Sequence, residues 1–371
     1  MPADQHSIIP LFLAVVIVAI VGGIILLLQR FVAGKQATTS PSTASPIGRW
    51  SGWPVLLSFV VMIGLPFLLQ MTLVESGFFQ KLYGADFPLE LRPGSTIHAD
   101  EQASHLRGLW AQTISAPVVV LFMLGVLRFF FQVRPAEAGL TLRHAGADFR
   151  FGFMTWLVVA PIVFIIFALA MILLSPHPAR HPLMDLGEHA GRLEWALFAL
   201  QATILWPLVE ELAFRSLLLY WQVQIREKAS QPNEFYLTPE NRVLFCIGAA
   251  LLLSSQRPET AEAVNAQNWN QLLTSLQPTS FVLLMLPVLY LVQKSKKVTG
   301  LLGFSSATTA ACFSNALLFA MFHIRIWPTP IPLMVLGLAL SWLALRRQRI
   351  IASFFLHMTF NAVAVVYSLL A

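Results

Sequence analysis

The sequence predicts an all-α, polytopic membrane bundle of about eight to ten transmembrane helices. The first observation behind this is composition: of 371 residues, 57% are hydrophobic and only 11% charged, against roughly 25% charged in an ordinary soluble domain. The second is that apolar runs of spanning length recur along the chain. The third is that the basic residues fall in short clusters between those runs, as in the cytoplasmic loops of membrane proteins. A net charge of +6 distributed in this way gives no basic stripe for nucleic acid, so no nucleic-acid partner is expected.

Five runs are long enough to span on their own: Ile8–Leu28, Trp53–Val74, Leu109–Phe131, Phe153–Leu174 and Ala196–Tyr220. A crossing helix needs about 20 such residues. The first run is preceded by no Lys or Arg and exceeds the length of a signal-peptide core, so it reads as an anchor helix within residues 1–32. A Ser, Thr and Pro-rich linker follows over residues 33–50, and the functional body begins near Trp50. Residues 51–190 hold the helices of the N-terminal half, and residues 191–371 a C-terminal core. In that core Val243–Leu253, Phe281–Val292 and Ile331–Leu345 are short, whereas Ser306–Ile324 and Ile350–Leu370 are long enough. Basic clusters after the first, third and fifth runs read as cytoplasmic loops and place the N-terminus outside. Lys294, Lys296 and Lys297, and then Arg346, Arg347 and Arg349, mark two further basic loops. Cys246 and Cys312 lie in apolar stretches without a CxxC neighbour and read as small buried residues.

Charge inside the fifth run needs a reason. Glu210, Glu211 and Arg215 are its only charged residues, and each costs roughly 2.5–3.5 kcal/mol near the centre of a spanning helix. Glu211 and Arg215 are spaced i,i+4 with the acid first, the better order for a helical ion pair. Glu210 is about 100° round the helix from Glu211, so it points elsewhere and needs a partner from another helix, a cavity water or a proton. An ion-pair cluster holding helices together is the structural alternative to a general base lining a hydrated pocket. Of the nine histidines, seven fall in predicted loops or the N-terminal tail, and only His323 and His357 lie on apolar segments. Asn361 is one turn after His357 and Phe319 one turn before His323. Glu, His, His and Asn converging from three helices would supply a base and oxyanion donors.

The segments Glu210-Glu211-Leu-Ala-Phe-Arg215, Phe319-Ala-Met-Phe-His323 and His357-Met-Thr-Phe-Asn361 resemble the EExxxR, FxxxH and HxxxN motifs of the CPBP family. This is the family of CAAX proteases and bacteriocin-processing enzymes, also called the ABI family. The resemblance runs from about Ala196 to the C-terminus and extends upstream to the loop Arg134-Pro135 to Leu140, where relatives carry a similar Gly-Leu turn. It implies that Glu210 and His323 activate the attacking water, that His357 and Asn361 stabilise the oxyanion, and that Glu211, Arg215 and Phe319 support them. It favours a metal-free, glutamate-activated water and hence no cofactor. Zinc on Glu210, His323 and His357 is the alternative by ligand type. One departure stands out: about a hundred residues separate Arg215 from Phe319, where relatives have a few tens. This reads as an insertion at about residues 222–300, and it strains the topology unless one short run is re-entrant or the motif helix is tilted.

The function expected is that of an intramembrane endopeptidase in a bacterial cytoplasmic membrane, multi-pass and lipid-embedded. Its substrate would be a membrane-associated protein or peptide, lipid-modified substrates included. A non-catalytic membrane scaffold or bacteriocin-immunity-type protein of the same family is the alternative. A transporter with an intramembrane proton relay is a third class, which no inverted repeat supports.

Overall fold

The computed structural model describes residues 52–84, 99–174, 191–228, 295–324 and 326–370, with single positions at 281, 285, 288 and 291. The anchor run and linker expected before Trp50, and most of the expected insertion, lie outside the described residues. Among the described residues every regular element is helical. They are α1 (Gly52–Glu75), α2 (Phe78–Tyr83), α3 (Ala99–Gly125), α4 (Ala145–Leu174) and α5 (Arg192–Lys228), then α6 (Lys296–Leu302), α7 (Ser306–Met321), α8 (Pro330–Arg347) and α9 (Ile351–Leu370). Among the described residues six helices are long and apolar enough to cross a membrane: α1, α3, α4, α5, α8 and α9. The protein is an integral, multi-pass membrane protein.

Several boundaries differ from the expectation. Helix α3 begins at Ala99, ten residues before the apolar run at Leu109, so His105 lies within a helix and not in a loop. Its polar first turns simply extend the helix beyond the apolar window. Helix α7 stops at Met321 with sixteen residues, short of the spanning length expected for Ser306–Ile324. The chain there tightens: the N–H groups of His323 and Ile324 donate to Ala320 and Met321, three residues back, as at many helix ends. Conversely α8 reaches eighteen residues, because Pro330 serves as a first helical residue, where a missing N–H is harmless. Arg346 and Arg347, expected in a loop, form its basic last turn, which suits the helix C-terminus. Lys296 and Lys297 open α6, whose N-cap Ser295 accepts from the N–H of Val298.

The chain divides into two compact units. One holds residues 49–145, 179–225 and 344–371, and therefore α1, α2, α3, most of α5, and α9. Here α1 packs along α3, and α9 packs on α5. Phe59 of α1 meets Phe214 of α5 edge to face, with centroids 5.1 Å apart. At one end Trp110 donates to the Tyr83 hydroxyl at 2.8 Å, and Tyr83 donates to Glu194 at 2.9 Å. Burial pushes the Tyr83 hydroxyl up to about 12, so it stays a donor. The loop after α3 clamps two elements. Ser216 of α5 donates to the Ala138 carbonyl at 3.1 Å, and Ile350 N–H donates to the Gly139 carbonyl at 3.1 Å.

The other unit holds residues 1–48, 146–178 and 226–343. In it α7 and α8 cross closely at Gly337, where an added Cβ would lie 3.1 Å from both Ala316 Cα and the Phe319 ring. Small residues at such crossings let backbones approach. Ser341 ties the pair further by donating to Asn315 Oδ1 at 3.0 Å.

Candidate active site

Helix α5 is not a uniform α-helix. It passes through a π turn at Gln201–Leu205, returns to α geometry over Trp206–Glu210, and is π-helical again over Glu211–Leu219. Such wide turns recur at functional sites. Glu210 is thus the last α residue and Glu211 the first of the second π segment, a change of geometry between adjacent carboxylates that no residue pattern announces.

Glu211 and Arg215 form an ion pair at 3.4 Å, and neither side chain is exposed. The Phe214 ring lies 5.6 Å from the guanidinium carbon. Glu210 is the more accessible acid, with 19% of its side chain exposed. Its partner comes from α9: His357 Nε2 lies 3.6 Å from Glu210 Oε2, a distance for ionic attraction but too long for a hydrogen bond. The other ring nitrogen, Nδ1, is 3.1 Å from Glu211 Oε1. His357 therefore bridges the two glutamates. With Nδ1–H directed at Glu211, the ring is fixed in orientation and Nε2 faces Glu210. Asn361, one turn on, donates from Nδ2 to the backbone carbonyl of Ala202 at 2.9 Å. Glu210, Glu211, Arg215, His357 and Asn361 are thus gathered in one unit.

His323 and Phe319 belong to the other unit. His323 sits in the turn just past α7, half-buried, with Nδ1 3.1 Å from the Phe319 carbonyl. The Phe319 ring lies against it at a centroid distance of 5.2 Å, so Phe319 walls the histidine through both its backbone and its ring. Among the described residues no group of three or more His, Cys, Asp or Glu is placed to hold a metal ion.

A family described as type II CAAX prenyl endopeptidase Rce1-like matches residues 192–363. The chain is similar to that family over this stretch, a little under half of its length. The Rce1-like region starts at the first residue of α5 and ends two residues after Asn361, so it contains every motif residue named above. The family is one of CAAX prenyl endopeptidases by its description. No curated protein and no solved structure matches the chain.

Reading the sequence alone missed Gln201 and Pro207. Gln201 of α5 is 8% exposed. It donates to Gln112 of α3 and accepts from Thr113 at 3.2 Å, pinning the first π turn. The available signal was polarity, since Gln112 and Gln201 are uncharged polar residues inside apolar runs.

Proposed function

We propose that the chain is an intramembrane endopeptidase that hydrolyses a peptide bond of a membrane-associated protein or peptide. The observation that carries this reading is His357 held between Glu210 and Glu211 in an apolar interior, inside the Rce1-like region. In the proposed reaction Glu210, assisted by His323, takes a proton from water. The resulting hydroxide oxygen bonds to the substrate carbonyl carbon, and the C=O π electrons move to oxygen. Asn361, through an N–H of its amide, and His357, when Nε2 carries a proton, donate to that oxyanion. Collapse of the intermediate breaks the C–N bond, and the proton held by Glu210 passes to the leaving amine. Glu211 and Arg215 hold the His357 ring from behind. Lipid-modified proteins are one substrate class this reading accommodates, since a membrane-embedded site meets them where their anchors lie.

The test compares membrane proteomes of wild-type and Glu210→Gln cells for a protein that stays uncleaved in the variant. Glu210→Gln, His323→Ala and His357→Ala should each lower cleavage by at least ~10², with the protein still accumulating in the membrane. Full activity in purified Glu210→Gln protein would sink the assignment.

A further inference from the structure

The bond between Asn361 and Ala202 has a cause in the backbone. At the first π turn of α5 the N–H of Trp206 donates to the Gln201 carbonyl, five residues back. In α geometry it would have donated to Ala202. The π register passes the Ala202 carbonyl to the next N–H in line, that of residue 207. Residue 207 is proline, which has no N–H. Neither residue thus supplies Ala202 with a donor, although a carbonyl at membrane depth must be satisfied from within the protein. The donor supplied is Nδ2 of Asn361, at 2.9 Å and 159 positions away. The turn itself is anchored to α3 through Gln201, held by Gln112 and Thr113.

We infer that Pro207 is a positioning residue for the proposed hydrolysis: by withholding an N–H from the π turn, it leaves the Ala202 carbonyl to Asn361 and so fixes the asparagine amide. The amide is planar, so holding one N–H of Nδ2 sets the direction of the other, the one that would meet an oxyanion. The same proline stands three residues before Glu210, which couples the register of the base to the aim of the donor. The catalytic consequence rests on the protease reading. The competition between residue 207 and Asn361 for one carbonyl does not.

Pro207→Ala restores an N–H that competes for the Ala202 carbonyl. Two measurements on the full chain in liposomes test the inference. In the first, cleavage of a prenylated CAAX peptide carrying a fluorophore and quencher is followed for Pro207→Ala, Asn361→Ala and the double variant. Pro207→Ala should lower kcat roughly tenfold with KM unchanged, and should cause no further loss once Asn361 is already alanine. Pro161→Ala, at the interior proline of α4, which shares none of these hydrogen bonds, should keep the wild-type kcat. The second measurement is thermal unfolding, which needs no substrate. Asn361→Ala should lower the midpoint by about 2–4 °C in the wild-type background. In the Pro207→Ala background it should lower it by nothing measurable, because the restored backbone N–H replaces the lost donor. An equal loss of stability in both backgrounds overturns the inference, as does a kcat loss from Pro207→Ala that persists undiminished in Asn361→Ala. If the wild-type protein leaves the peptide uncut while the stability cycle behaves as expected, the proposed activity on such peptides fails and the backbone device stands.

Discussion

Arg215 and Glu210 are charges on one helix with opposite consequences for stability. Arg215 is fully buried against Glu211, so Arg215→Ala strands a buried carboxylate, which typically costs about 3–5 kcal/mol. Glu210 keeps part of its side chain accessible, and Glu210→Gln removes a costly intramembrane charge. Thermal unfolding in detergent should therefore place Arg215→Ala well below wild type and Glu210→Gln at or slightly above it. The reverse order would mean that the roles within the acid pair are exchanged. The donor set also bears on metal. His357 Nδ1 is engaged by Glu211 and its Nε2 faces Glu210, an arrangement that we propose serves an acid–base pair and not two zinc ligands. Purified protein is expected to carry far less than stoichiometric zinc and to keep its activity through prolonged chelation. Stoichiometric zinc, with activity lost on chelation and restored by added zinc, would make Glu210 a ligand instead of the base.

At the scale of elements, the loop after α3 is held by a close approach that only glycine allows. Gly139 has φ +86°, and an added Cβ would lie 3.0 Å from Arg349 Cα and 3.1 Å from Ile350 N, both backbone atoms at the α8–α9 corner. Gly303, after α6, has a similar φ of +71° with nothing within 4 Å. Each alanine variant carries the conformational strain, about 1–3 kcal/mol, but only Gly139→Ala adds a clash that backbone cannot yield to. Unfolding midpoints should fall further for Gly139→Ala than for Gly303→Ala, and equal losses would remove the clash as a cause. These elements also mark what could be read in advance. Glu210, Glu211, Arg215 and His357 were visible because charge and imidazole are conspicuous in apolar segments, and Asn361 because it is one turn from His357. The π turns were not visible, since register is a backbone property and side-chain periodicity reports it only weakly. Helix ends slipped for a similar reason. Hydropathy marks the apolar window, whereas the stop at Met321 and the start at Pro330 are set by turn hydrogen bonds and a proline.

At the scale of the whole molecule, the question is how much chain the glutamate site needs. The Rce1-like match begins at residue 192, yet α5 does not pack alone. Gly52, the first residue of α1, is so close to Trp221 of α5 that an added Cβ would lie 2.8 Å from the indole. Phe59 packs against Phe214, the neighbour of Arg215, while α3 pins the first π turn through Gln112 and Thr113. Helices α1 and α3 are therefore walls of the unit that carries Glu210, although both lie upstream of the matched region. Residues 1–48, by contrast, contribute none of the motif residues, and we propose that residues 1–32 anchor the chain and the linker of residues 33–50 joins it to the body, without taking part in hydrolysis. A chain starting at Arg49 behind an initiator methionine should insert, unfold near the wild-type temperature and cleave the same substrate at the wild-type rate. A chain starting at Ser76, which lacks α1, should lose both stability and cleavage, because Phe214 and Trp221 lose their cover beside the buried Arg215. Loss of cleavage in the Arg49 chain, with normal accumulation and unfolding, would show that the first 48 residues serve the site itself and not merely the membrane.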